Sequence, residues 1–507
     1  MLWQKEDSSC LYINLFKNSD YYLREKYALN KKKSNVSSLC ARTDGNRLYA
    51  GNDFEGALTK YNLSIRLAED SETLSLAYAN RAQCYLKMHR YNFCLSDVHL
   101  AKEAGYPTNL MTKLQSRERE CLKNMDDRIE MQPVISIQPD DLQVNSAVRI
   151  EKDDVFGRML IAKQDINIGD TVLIEEMYIR TVTDCKIDKC NRCGEKNVNF
   201  IPCKNCSSVM YCSKTCADNV FHESECDIVL GTMECIDELI FTIRSVVTAI
   251  NTFSTVDELI SFIQKCSSVI YDCTGSDESK YGAFFQLSSG VVSNARILDC
   301  LEKAYYVFNA VMSSSKLQNK FGTTATQRFL MHLIVHHYFV LCTNSFGYTT
   351  NGAHVREISL NSSYINHSCL PNVGKLSKGN ITVCKAILPV RKGEQLFVTY
   401  LADNVFRMTS KERNDQLDDS YGFRCKCFLC TNGCMRADAL EKDPLFIYVK
   451  VNAMKVEENC DIELIRNVIQ HCIKFALKYS KMIGTEELYY ITETLNALLS
   501  KELKYMN

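Results

Sequence analysis

Asn366-His367-Ser368-Cys369-Leu370-Pro371-Asn372 is the most specific stretch of this 507-residue chain. It lies in a run of short apolar strands separated by glycine turns. Downstream follow Gly393-Glu394, Tyr400 and Tyr421-Gly422-Phe423-Arg424-Cys425-Lys426-Cys427-Phe428-Leu429-Cys430. Upstream, the pattern predicts strands at Gly157–Ala162 and Ile168–Ile174. Strand character returns at Val355–Ile358, Ile381–Val383 and Leu396–Tyr400. Between the two blocks stand a cysteine-rich segment and a long, mostly helical stretch, Asp227–Phe346. The expected class is α+β. A strand-rich domain is split into 147–185 and 347–403, with a helical insert at 227–346, a cysteine-bearing segment at 404–434 and helices at 435–507.

The segment 190–226 reads Cys190-x2-Cys193, Cys203-x2-Cys206, Cys212-x3-Cys216, His222-x3-Cys226. These soft ligands suffice for two tetrahedral zinc ions, because short Cys-x2-Cys knuckles present two thiolates at once. Interleaved pairing is expected. Cys190, Cys193, Cys212 and Cys216 would hold one ion, and Cys203, Cys206, His222 and Cys226 the other. The last two pairs are each four residues apart, a spacing that puts each pair on one helical face. Buried thiols lined up by chance account poorly for this density and order.

Hydrophobic residues make up 46%, while Gly (20) and Pro (7) are scarce, so an ordered, helix-rich protein of several domains is expected. A net charge of -1 removes the overall electrostatic case for a nucleic-acid binder, and the few Arg and Lys of 190–226 disfavour sequence-specific DNA recognition. Met1–Leu11, interrupted by Lys5, Glu6 and Asp7, does not read as a signal sequence. With 26 cysteines, the expectation is a reducing compartment, cytoplasmic and nuclear, where thiols serve metals and cores. Lys31–Lys33 reads as a solvated loop rather than a localisation signal. Phe329–Cys342 is too short and too polar to span a bilayer, and its His332, His336 and His337 read as ordinary side chains of a packed helix.

Residues 40–105 carry an internal repeat, within a helical region at 40–126. Gly45-Asn46, Leu48-Tyr49, Phe54, Ala57-Leu58 and Tyr61 recur as Ala82-Gln83, Tyr85-Leu86, Tyr91, Cys94-Leu95 and Val98. Small residues sit where two helices must approach and large ones fill the gaps. This resembles tetratricopeptide repeats, capped by a helix at Asn109–Asp126. Either a helical scaffold or a concave groove for a partner peptide fits. Pro133 and Pro139 flank Val134-Ile135-Ser136-Ile137, where the period switches from helix to strand.

The spacing of 190–226, with its Tyr211-Cys212-Ser213 step, resembles a MYND zinc finger, although the gap Ala217–Phe221 before His222 is shorter than usual. Asn-His-Ser-Cys-x-Pro-Asn, then Gly-Glu with a later Tyr, then Cys-x-Cys-x2-Cys resembles a SET domain. The order of motifs resembles the SET-and-MYND family of protein-lysine methyltransferases, most of all its tetratricopeptide-bearing fourth member.

That resemblance implies S-adenosylmethionine as methyl donor and a protein with an exposed lysine as substrate. It implies a lysine channel of Tyr400, Tyr421 and Phe423, and cofactor contacts from Gly157, Arg158, Asn344, Asn366, His367, Tyr400 and Phe423. Met159 stands where the family carries a second glycine, and its side chain is expected to narrow the pocket. Cys369 with Cys425, Cys427 and Cys430 would form a third four-thiolate zinc set, tying the 366–367 loop to the lid that carries Tyr421 and Phe423. The short C-terminal region implies a more open substrate cleft. The chain is expected to act as a monomer. The rival class is a catalytically weak adaptor whose finger and repeats bind peptides. Calorimetry with S-adenosylmethionine discriminates the two.

Overall fold

The computed structural model describes residues 32–125, 147–183, 189–196, 199–218, 220–228, 236–266, 271, 273–290, 294–350, 352–401, 405–458 and 461–505. Met1–Leu11, Lys31, the Val134–Ile137 strand and Cys185 lie outside the described residues.

Helices Asn35–Ala50, Phe54–Leu67, Ser71–Lys87 and Tyr91–Glu103 form two antiparallel hairpins, followed by Met111–Asn124. Ser34, Asp53 and Asp70 each accept a backbone N–H three residues on, which fixes three of the starts. Gly45 is required by close approach, since a Cβ there would fall 2.6 Å from the Tyr61 ring. Ala57, Ala82 and Ala101 are fully buried where the helices cross.

These hairpins do not close a core of their own. They share one with Cys190, Phe200, Cys206, Met210 and Tyr211 of the cysteine-rich segment. Arg81 is fully buried at that junction. It donates to both Asp97 carboxylate oxygens at 2.7 and 2.6 Å, to Asn62 Oδ1 at 2.7 Å and to the Phe200 carbonyl at 3.1 Å. Asn199 returns a bond to the Phe93 carbonyl at 2.8 Å.

The strands are β1 (Val148–Asp153), β2 (Gly157–Ala162), β3 (Thr171–Glu176), β4 (Ile179–Thr183), β5 (Ile201–Pro202), β6 (Met210–Tyr211), β7 (Phe346–Thr350), β8 (Ala353–Ile358), β9 (Asn366–His367), β10 (Val373–Lys378), β11 (Ile381–Ala386) and β12 (Phe397–Val398). β1 and β2 pair as a hairpin, β5 with β6 likewise, and two three-stranded sheets run β10-β11-β3 and β4-β8-β7. β9 and β12 pair in parallel, Asn366 opposite Phe397 and His367 opposite Val398.

The sheet β10-β11-β3 is buried on both faces. Val172, Val373, Cys384 and Ala386 face the central core, shared with helices Ile236–Thr252, Asp277–Phe285, Asn294–Met312 and Thr324–Asn344. Leu376, Ile381 and Val383 face the C-terminal helices Pro444–Glu458, Ile462–Lys478 and Glu486–Tyr505. That period-two split along β11 is the alternation a doubly covered strand imposes. The C-terminal helices therefore back the sheet. Phe406 stacks on Tyr489 at 4.1 Å, so they also brace the segment after β12.

Two strand expectations shift. Ile168–Ile174 begins later, at Thr171, because Gly169 turns at φ +90°. Leu396–Tyr400 contracts to β12, because Leu396 N–H goes to the Leu160 carbonyl and Tyr400 N–H to a side chain. Of the three helix histidines, His337 bonds Tyr281 Oη and Ser245 Oγ inside the core, and His336 bonds the Phe285 carbonyl. Among the described residues, no single helix is long and apolar enough to cross a membrane.

The Arg81–Asp97 pair generates a prediction. Asp97→Asn leaves a guanidinium buried without its counter-charge and should cost about 3–5 kcal/mol. Urea unfolding should show that loss. Hydrogen exchange should quicken in the finger segment around Phe200 as well as in the helices.

Candidate active site and metal clusters

Three distant segments converge beside β9. Residues 393–397 run between β2 and the 366–372 loop. Ala162 N–H donates to the Glu394 carbonyl at 2.9 Å, Gly393 N–H to Ala162 at 2.8 Å and Leu396 N–H to Leu160 at 2.9 Å. On the other side Ser368 N–H donates to the Val398 carbonyl at 3.0 Å. Asn372 closes the crossing, its Oδ1 accepting Phe397 N–H at 2.7 Å and its amide donating to the Gln395 carbonyl at 3.0 Å.

Tyr400 follows directly, half-buried, and its hydroxyl donates to the Ile365 carbonyl at 2.8 Å. Its ring lies 4.9 Å from Tyr421 and 6.4 Å from Phe423, the latter edge-on. Tyr421 ends the helix Ser410–Tyr421, started by a Thr409/Glu412 capping box. Gly422 then adopts φ +75°, the left-handed turn that brings Phe423 back to within 6.3 Å of Tyr421. Burial raises the Tyr400 phenol well above its ordinary range, with the neighbouring Tyr421 adding to it, and burial does the same to Tyr421. Both hydroxyls therefore keep their protons at neutral pH.

His367 is buried under this box, its ring 5.4 Å from Tyr400 and 6.0 Å from Phe423. Its Nδ1 accepts Tyr400 N–H at 2.9 Å, and its Nε2 lies 3.4 Å from Cys369 Sγ. Burial depresses the imidazole pKa to about 4. Both ring nitrogens are thus engaged inside the protein, which leaves the backbone of His367 for any ligand.

Asn366 donates to the Arg158 and Phe156 carbonyls at 3.2 and 3.4 Å. Arg158 stacks on Tyr364 at 4.9 Å and bonds the Gln286 carbonyl. Asn344, ending the Thr324–Asn344 helix, donates to Ser288 at 2.7 Å. The segment 286–288 is therefore what connects Asn344 with Arg158. Gly157 stands at φ +67° with nothing within 4 Å of where a Cβ would project, so ligand can approach its backbone. Met159 is buried, 7% exposed.

The structure brings the twelve candidate ligands into three clusters: Cys190, Cys193, Cys212, Cys216; Cys203, Cys206, His222, Cys226; and Cys369, Cys425, Cys427, Cys430. Within each, ligand atoms lie within 4.8 Å of one another. Tetrahedral zinc with Zn–S of about 2.3 Å sets sulfurs roughly 3.8 Å apart. Cys193 and Cys212 are 3.4 Å apart, Cys203 and Cys226 3.8 Å, Cys369 and Cys430 3.6 Å, and Cys206 Sγ is 3.3 Å from His222 Nε2. The donor sets fit zinc. Helices Lys214–Ala217 and Val220–Glu225 carry Cys216 and His222, while Cys212 and Cys226 lie just outside them.

A SET domain matches residues 157–401. "Protein-lysine N-methyltransferase SMYD4" of Pongo abelii is 22% identical over 542 residues, covering 78% of this chain and 67% of that protein. The Homo sapiens protein of the same name is 22% identical over 80% of this chain and 68% of its own length. Over most of its length the chain is thus similar to SET-and-MYND proteins. It spans about two thirds of the length of those two relatives. A further relative, "N-lysine methyltransferase SMYD2-A" of Xenopus laevis, is 23% identical, covering 62% of this chain and 65% of that protein. A solved structure of Rubisco LSMT bound to sinefungin and monomethyllysine aligns at 12% identity with a TM-score of 0.29, covering 70% of this chain and 85% of that one.

The sequence reading missed three supports of this site. Arg413, 3% exposed, donates to the carbonyls of Val405, Met408 and Leu429. Burial lowers its pKa, but Cys430, Cys369 and Cys427 together raise it above its ordinary value, so a fixed cation lies against the third thiolate set. A lone arginine in a polar helix gives no sequence signal. Asn372 was visible in the motif, but its tie to 395–397 was not. Arg244 grips Glu225, next to Cys226, at 2.9 and 2.8 Å and donates to the Arg180 carbonyl, while Arg180 reaches the carbonyls of Arg192 and Cys193.

The third cluster predicts a long-range effect. Cys427→Ser should release its metal and quicken hydrogen exchange in both 364–372 and 420–431, leaving 190–226 nearly unchanged. Retained metal and unchanged exchange in 364–372 would show that the two segments are held by something else.

Proposed function

We propose that this chain is an S-adenosylmethionine-dependent protein-lysine methyltransferase. The observation that carries the reading is the half-buried box of Tyr400, Tyr421 and Phe423, built from two distant segments beside the open Gly157 backbone. The names of its relatives support it.

The cofactor supplies an activated methyl group; the chain supplies position. Gly157, Arg158, Asn344, Asn366 and the backbone of His367 would hold it. A substrate lysine entering the box leaves water for aromatic walls, which lowers its pKa and favours the neutral amine that attacks. Tyr400 does not serve as the base, since burial keeps its phenol protonated. It holds the Ile365 carbonyl at 2.8 Å, and that pair fixes polar atoms at the wall of the box. Alignment of nucleophile and methyl group supplies roughly 7–11 kcal/mol in favourable cases.

We also read the cysteine-rich segment as a MYND-type finger, the hairpins as tetratricopeptide-like repeats, and the three clusters as three zinc ions per chain. The protein is a monomer of the cytoplasm and nucleus in this reading. The adaptor alternative draws on one observation: repeats and finger share a core separate from the aromatic box. Both surfaces would then take peptide partners, with or without catalysis. Calorimetry with S-adenosylmethionine separates the readings, since an adaptor has no need to bind it.

Tyr400→Phe should lower kcat about 10²- to 10³-fold, the scale for losing one preorganised donor. Cofactor affinity should stay nearly intact, measured by calorimetry beside a labelled-methyl transfer assay. Elemental analysis should find three zinc ions per chain. Two would point to the His222 cluster, whose spacing departs from the family.

A further inference from the structure

We propose that His367 is a positioning residue whose fixed tautomer couples the third metal cluster to Tyr400; for Tyr400 this rests on the methyltransferase reading. A backbone N–H only donates. The 2.9 Å bond from Tyr400 N–H to Nδ1 therefore requires that Nδ1 carry no proton. In the neutral ring the proton then sits on Nε2, which points at Cys369 Sγ from 3.4 Å. Cys369 belongs to the third thiolate set and, holding a metal, accepts that bond as a thiolate.

The ring thus forms a two-sided strut. One nitrogen tempers the charge on a metal-ligand sulfur. The other holds the backbone of the residue whose hydroxyl meets Ile365. The strut also explains why β12 stops at Val398: the next useful N–H, on Tyr400, is bound by an imidazole rather than by the β9 ladder. Burial at 6% exposure and contacts with the Tyr400 and Phe423 rings leave the imidazole no freedom to turn over. A metal in the cluster would make Cys369 a thiolate acceptor, which favours the proton on Nε2 and leaves Nδ1 to receive Tyr400 N–H.

Two substitutions separate the halves. His367→Asn keeps an acceptor near the Nδ1 position and loses the donor to sulfur. His367→Gln keeps a donor near the Nε2 position and loses the acceptor for Tyr400. In zinc-loaded protein, His367→Asn should release the third zinc to a chelator about 10-fold faster, the phase being identified by its absence in Cys427→Ser. Its kcat should fall less than that of His367→Gln. His367→Gln should hold zinc like wild type and lose about 10-fold in kcat. Neither should alter the affinity for S-adenosylmethionine by more than a few-fold. Nitrogen-15 spectra of histidine-labelled wild-type protein should show His367 neutral and protonated at Nε2.

A proton on Nδ1, an imidazolium, or equal effects of both variants on zinc and turnover overturns the proposal. So does a parallel loss of cofactor affinity in both, which would make the imidazole a cofactor contact. Should wild-type protein transfer no methyl group, the methyltransferase reading fails by itself. The zinc-release and tautomer results then still decide the coupling.

Discussion

Four thiols from two segments meet at one point, Cys369 lying 56 residues before Cys425 and 61 before Cys430. The candidate active site depends on that meeting. Bare thiolates at such distances repel, and closing a loop of this length carries an entropic cost that grows only slowly with length. A bound cation reverses the first term and leaves the second small. Arg413 adds a second, permanent positive charge from the side, while its two Nη groups donate to carbonyls of the turns on either side of its helix. Backbone N–H donation from Cys427 to Cys425 Sγ at 3.4 Å completes the neutralisation.

The same device recurs at the other two clusters, with a different consequence. There the cysteine-rich segment is held between two bodies by buried, paired arginines. Arg81, paired with Asp97, ties it to the N-terminal helices through the Phe200 carbonyl, and Arg244–Glu225 ties it to the insert and β4. Buried pairs of this kind contribute little net stability against apolar substitutes. They do demand one geometry, since a bidentate guanidinium tolerates little displacement. The N-terminal helices, the cysteine-rich segment and the strand-rich domain are therefore positioned relative to one another by directional bonds, and the apolar core fills in around them.

How much of this the sequence discloses follows the range of each interaction. The ligand spacings, the small residues of the internal repeat and the apolar strand at Ile381–Val383 are local patterns, and all are readable before the fold is seen. Arg413, Arg81 and Arg244 are not, because a single arginine carries no periodicity and its value lies in carbonyls far along the chain. His367 is an intermediate case. Its motif marks it, yet the motif suggests a ligand contact, whereas both ring nitrogens face the protein. Tyr400 likewise sits beyond the strand that its apolar neighbours predict, since one side-chain acceptor outcompetes the ladder for its N–H.

A site that admits a lysine side chain must stay partly open, and that sets the final constraint. Tyr400, Tyr421 and Phe423 are only half-buried, and the apolar cluster beneath them has few fully buried members, among them Leu401, Leu417 and Leu429. Burial at about 25 cal/mol per Å² cannot stiffen rings that keep one face exposed. Rigidity here has to come from bonds that do not need apolar volume: a four-thiol cluster suited to a metal, a capped helix ending in a left-handed glycine, and an imidazole engaged at both nitrogens. Such bonds hold the walls from below and behind, so the mouth of the box stays free of packing. The third cluster thus takes the place that a hydrophobic core would occupy if the site did not have to receive a guest.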